Sequence, residues 1–195
     1  MLAVSSINFL HPDCGQRIDG GGWKLVRHVP PGNRWHKATD HLAGTAVYGD
    51  ANGGPTSHEE WSIRFDSIPF DQFLFSTGNC QKWLVTTKSA AIGEYYGEGT
   101  QGAMRTILKS SKSATPYKAL WFNRVNAVED PWLSLSDHYG AIGAGEILYG
   151  GNHWVGSNAQ NVLPYHNGAN VYIRNSSALG KCIYCLLYTS DAADE

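Results

Sequence analysis

Trp61, Ile63 and Phe65 alternate with Ser62 and Arg64, a period of two that places three large apolar side chains on one face of an extended segment. This predicts a half-buried strand over 61–65. Two further apolar runs, 70–76 and 82–87, are separated by Thr77, Gly78 and Asn79, and so short a connection predicts an antiparallel meander. Upstream, 23–29 is a Leu- and Val-rich run that opens on Trp23 and stops at Pro30-Pro31. Gly20, Gly21 and Gly22 precede it; glycine takes positive φ at no steric cost, so a tight reversal delivering Trp23 into a buried strand is expected. Further strands are predicted over 119–125, with Trp121 and Val125 on one face and Leu120 and Phe122 on the other, and over 132–135, 146–149 and 170–174. Helix signals are few. Residues 40–47 predict a short helix, Ser57 with Glu60 has capping-box spacing for a single turn, and 104–109 is too short to assign.

Composition reinforces this pattern. Charge is low (16%), aromatic content is high (12%) and 22 of the 195 residues are glycine, which favours strands and long loops over helices. The expected class is α+β and β-rich: an antiparallel sheet with short helices and long Gly-rich loops. A chain of this length buries a core without needing a metal or a disulfide. No run reaches the roughly 18 apolar residues of a membrane-spanning helix. Neither a basic patch for nucleic acid nor an acidic tail is evident. Residues 1–10 lack the basic start and the small-residue cleavage site of a signal peptide, so 1–13 is expected to be a truncated leader or domain start. Residues 185–195 resemble the translation of a sequencing adapter and are set aside from fold reasoning. Three acidic residues and no basic one leave with them, moving the net charge from −2 to +1 and the cysteine count from four to three.

Candidate chemistry is sparse. Residues 97–102, GEGTQG, satisfy G-x-G-x-x-G, but no buried strand leads in and no full helix follows, so a loop is expected. Neither a G-x-S-x-G elbow nor an H-E-x-x-H helix occurs. Cys14, Cys80 and Cys182 lack metal-ligand spacing, leaving one disulfide and an orphan, or free thiols. Asn175-Ser176-Ser177 is a glycosylation sequon, informative only in a secreted protein.

The richest stretch is 129–157. It gathers Glu129, Asp130, Asp137, Glu146, His138, Asn152, His153, Trp132 and Trp154 on short strands and loops. Carboxylates and amides hold sugar hydroxyls in fixed directions, and an indole face stacks on the apolar side of a pyranose. Such carboxylate density also suits Ca²⁺, although no D-x-D-x-D-G loop is present. The same residues equally suit strand caps and core. The expected ligand-binding set is Asp137, His138, Glu146, Asn152, His153 and Trp154, with no catalytic residue and the metal ligands unassigned.

Cys14, Asp19, Gly20, Gly21, Gly22 and Trp23 match a pattern of cysteine, short acidic stretch and Gly-Gly-Gly-Trp, with Lys24 where Thr is usual. In this the chain resembles the start of the fibrinogen C-terminal-like domains, including the intelectin lectins. The closing run 169–174, ANVYIR, resembles the end of the intelectin domain. The resemblance implies an α+β fold with a central antiparallel sheet, an extracellular location, Ca²⁺, and recognition of glycans or glycoproteins. It also implies that Cys14 pairs with a cysteine upstream of it. No ligand-binding residue is carried over.

The expected organisation is therefore a single fibrinogen-like domain over 14–174, a linker over 175–184 and the adapter-like tail over 185–195. Its expected function is secreted, non-enzymatic, lectin-like or adhesive binding of glycans or glycoproteins. The alternatives are a glycoside-active enzyme using Glu94, Glu98, Asp137 or Glu146, and a structural surface module.

Overall fold

The computed structural model describes residues 13–32, 37–92, 102–121, 130–137, 146–150 and 166–178. The chain is β-rich, with antiparallel sheets and few, short helices. Its centre is a six-stranded sheet built from β1 (Lys24–Val29), β2 (Trp61–Ser62), β3 (Gln72–Thr77), β4 (Trp83–Thr87), β6 (Lys109–Ser110) and β10 (Ala169–Arg174). These lie in the order β2-β1-β10-β3-β4-β6. Every neighbouring pair is antiparallel. The expected meander is the β3–β4 pair. β5 (Ala103–Ile107) pairs with β7 (Tyr117–Trp121), and β8 (Leu133–Ser134) with β9 (Ile147–Tyr149).

β10 shows why the sheet is central: all six of its residues are buried. Side chains alternate across a strand, so such a strand must be covered on both faces. Ala169, Val171 and Ile173 join Phe73, Phe75, Leu84, Trp121 and Tyr149 in the larger core. Tyr172 points the other way, into a smaller cluster with Leu74, Val85, Trp23, Ile18 and Cys14. A bulge between Leu25 and Arg27 lets Val26 and Val29, three residues apart, both reach the larger core.

The glycine turn behaves as its residues dictate. Gly20, Gly21 and Gly22 have φ of 81°, 76° and 74°, and Trp23 follows, 4% exposed. A Cβ at Gly21 would lie 2.8 Å from the Gln16 carbonyl oxygen. Trp23 Nε1 donates to the Ile18 carbonyl at 2.9 Å, and the Arg174 guanidinium sits 3.8 Å from the ring centroid. The Arg174 guanidinium also donates to the Asp19 and Gly21 carbonyls and to the Asp19 carboxylate. The last strand thus locks the turn.

Several sequence expectations fail for identifiable reasons. Cys14 pairs with Cys80 rather than with a cysteine upstream. The bond fastens α1 (Cys14–Arg17) to the turn that joins β3 and β4. Residues 40–47 form no helix: His41 and Leu42 have φ of 52° and 65°. Asp40 accepts the backbone N–H groups of Gly44, Thr45 and Ala46 at 2.8, 2.6 and 2.8 Å, which gives the backbone an alternative to helical bonds. No capped helix follows Ser57, whose hydroxyl instead donates to the Glu59 carbonyl while the chain enters β2. The strand expected over 61–65 is only Trp61–Ser62, because Phe65 N–H turns away to the Gly44 carbonyl. Ser62, expected to face solvent, is 2% exposed; its hydroxyl accepts from Arg27 Nε and donates to the Ala46 carbonyl. The unassigned run 104–109 contributes to β5 and β6. Residues 93–101, which hold Glu94, Glu98 and most of the glycine fingerprint, lie outside the described residues.

Candidate functional site: a polar groove beside the β5–β7 ribbon

The 110–113 turn is built by serine. Ser110 Oγ accepts the backbone N–H groups of Lys112 and Ser113 at 3.1 and 3.2 Å. Tyr117 O–H donates to the same oxygen at 3.0 Å, tying β7 to the turn. Burial raises the Tyr117 hydroxyl above its ordinary range, with its Ser110 bond and the Lys112 charge opposing, so it remains a donor at neutral pH. On the other side of β7, Leu120 N–H donates to the Ser136 carbonyl at 2.7 Å and Trp121 Nε1 to the Ser134 carbonyl at 3.2 Å. Ser134 Oγ in turn accepts Ser136 N–H at 2.8 Å. Tyr117, the Leu120 backbone and Trp121 therefore fix three segments against one another, with the serines shaping the two turns.

Between these segments lies a groove of about 500 Å³ lined by Met104, Lys112, Ser113, Tyr117, Lys118, Leu135, Ser136 and Asp137. Met104 is 44% exposed, an apolar surface offered to solvent. Lys112 Nζ donates to Glu146 Oε1 at 2.9 Å, and Leu135 N–H donates to the Glu146 carbonyl at 3.2 Å. The lining thus combines two ammonium groups, a carboxylate, hydroxyls and an apolar wall. That mixture binds polar molecules in a fixed orientation.

Of the residues expected from sequence, Asp137 lines this groove and Glu146 reaches it through Lys112. His138, Asn152, His153 and Trp154 lie outside the described residues. Two others from the same stretch belong elsewhere: Asp130 is fully buried and Trp132 is 5% exposed, so neither faces a ligand. Sequence reasoning passed over Met104, Lys112, Ser113, Tyr117 and Lys118. The available signal was the cluster of serines at 110–113, a turn pattern, followed by a strand with Lys118 on its outer face.

Asp130 belongs to a second, closed cluster. The Arg27 guanidinium pairs with Asp130 and with both oxygens of Asp40, at 2.7 and 2.6 Å for the latter. Tyr149 O–H donates to Asp130 Oδ2 at 2.8 Å and Leu42 N–H to Asp130 Oδ1 at 2.8 Å. Burial would raise the Asp40 carboxyl, but the Arg27 charge and hydrogen bonds hold it down at about 2. Burial, with the Asp130 charge adding to it, pushes the Tyr149 hydroxyl well above its usual range. These groups bond one another. Their work is to join β1 to the 37–46 loop and to residue 130.

The Ca²⁺ implied by the fibrinogen-like resemblance finds no home among the described residues. No group of three or more His, Cys, Asp or Glu side chains is placed to hold a metal ion there. Within the groove, Lys112 opposes a cation beside Glu146. Among the described residues, no helix is long and apolar enough to cross a membrane. Comparison with known proteins returned no matching family model, no matching curated protein and no matching solved structure.

Proposed function

We propose that this chain is an extracellular, non-enzymatic carbohydrate-binding domain of fibrinogen-like type, and that the groove beside the β5–β7 ribbon is its glycan site. The observation that carries the reading is the lining itself. Lys112, Lys118 and Asp137, with the hydroxyls of Ser113 and Ser136, stand beside the exposed Met104 and the side of Tyr117. Sugar hydroxyls take directed bonds from such charged groups, and the apolar wall accepts the C–H face of the ring. The Cys14–Cys80 bond supports the extracellular part, because structural disulfides persist in oxidising compartments. Direct binding to a glycan array, with and without chelator, tests the proposal. Retention of selected glycans by the wild-type chain, their loss in Lys118→Ala and Asp137→Ala, and indifference to chelator are expected. Absence of binding to every glycan, or binding unchanged in both variants, would refute the assignment.

A further inference from the structure

Asn175 directly follows β10 and is exposed, whereas all six residues of that strand are buried. It opens Asn175-Ser176-Ser177, the one Asn-x-Ser/Thr sequence in the chain. Two hydrogen bonds shape the segment from within. Asn175 Oδ1 accepts Ser177 N–H at 3.1 Å and Ser177 O–H at 2.7 Å. The hydroxyl that defines the acceptor pattern is thus already on the asparagine amide. Asn175 Nδ2 makes no hydrogen bond with the described residues and is left to solvent. A third contact comes from outside the segment. Asp71 accepts Ser176 N–H at 2.7 Å, and its carboxylate also accepts Ser176 O–H, so the middle residue is held to the body of the fold. The folded chain therefore has room for a bulky group on Asn175 and displaces no buried side chain to admit it.

We propose that Asn175 is an N-glycosylation site, carrying an oligosaccharide on Nδ2. In the transfer, Nδ2 forms a bond to the anomeric carbon of a lipid-diphosphate-linked oligosaccharide. The bond from that carbon to the diphosphate breaks, the lipid diphosphate departs with the electron pair, and one Nδ2 proton passes to a base of the transferase. This inference shares the secretory location of the proposed function but does not depend on the groove. The attached glycan stands at the end of β10, on a side chain separate from the groove lining.

The test is expression of the full chain behind a secretion signal in a eukaryotic host, followed by peptide mass spectrometry of both secreted and cell-retained protein. The expected result is a glycan mass on the Asn175 peptide that peptide N-glycosidase removes, leaving Asp in its place. Asn175→Gln and Ser177→Ala should each abolish that mass, and Ser177→Thr should retain it. Unmodified Asn175 in protein whose Cys14–Cys80 bond has formed would overturn the site. That result would leave glycan binding by the groove untouched, whereas loss of array binding with Asn175 modified would overturn the groove alone.

Discussion

Arg27 and Lys112 carry the same charge and each meets a carboxylate, but the two are built for opposite ends. The Arg27 side chain is 0% exposed, and its partners Asp40 and Asp130 are 6% and 0% exposed. Lys112 is 42% exposed and Glu146 27%. Desolvation makes the first cluster an all-or-nothing arrangement: every group must stay paired, or a buried charge is stranded. The second pair remains in water, so it contributes little to stability and can exchange its partner for a ligand at small cost. Equal chemistry thus serves structure where water is excluded and leaves its charges open to exchange where water remains.

The strongest way to break this comparison is Arg27→Met, which strands Asp40 and Asp130. Chemical denaturation should show a loss of about 5 kcal/mol, at the upper end for breaking a buried pair because two carboxylates lose their partner. Unchanged stability would mean that the cluster does not hold the 37–46 loop. Replacing both Cys14 and Cys80 by Ala should cost about 4 kcal/mol, from the closure entropy of a bond spanning 66 residues, measured the same way under non-reducing conditions.

Acid should separate the two regions next. Asp40 sits at about 2 in the folded chain against about 3.9 when unfolded, so its contribution is full above the unfolded value and is lost as pH falls through the folded one. Unfolding free energy should therefore fall by about 2 kcal/mol between about pH 5 and pH 2 on this account, and Asp40→Asn should flatten that part of the profile. Asp19 and Asp71 are also held below the ordinary carboxylate range against the opposing effect of burial. Lys109 and Arg174 lower the first and the Ser176 bonds lower the second, which adds to the same acid dependence. The smallest effect on stability is expected in the groove, where Lys118→Ala and Asp137→Ala should shift it by under about 0.5 kcal/mol while removing glycan binding. A large loss of stability in either would make the groove part of the scaffold and erase the contrast.

Much of the central sheet is legible in the residues. The β3–β4 meander, the strand after Trp23 and the closing strand all follow from apolar runs bounded by breakers. What misleads is competition from side chains. Asp40 captures three backbone N–H groups and unmakes the expected helix, and Ser62 is drawn inside by Arg27. The groove was half legible for a related reason. Asp137 and Glu146 stand out by type, but Asp130 and Trp132 stand out equally and are buried. Type and local spacing do not report which face of the fold a residue meets.

By itself the sequence determines the class of the fold and the glycine turn. Strand periodicity and the positive φ open to Gly20, Gly21 and Gly22 are local properties that need no distant partner. The tertiary structure alone decides the Cys14–Cys80 pairing, the burial of the Arg27 cluster and the meeting of Lys112 with Glu146. Those contacts join residues 66, 103 and 34 positions apart. Such separations are closed only when the sheet order brings the strands together, so the same charges become buried scaffold in one place and a solvent-facing pair in another.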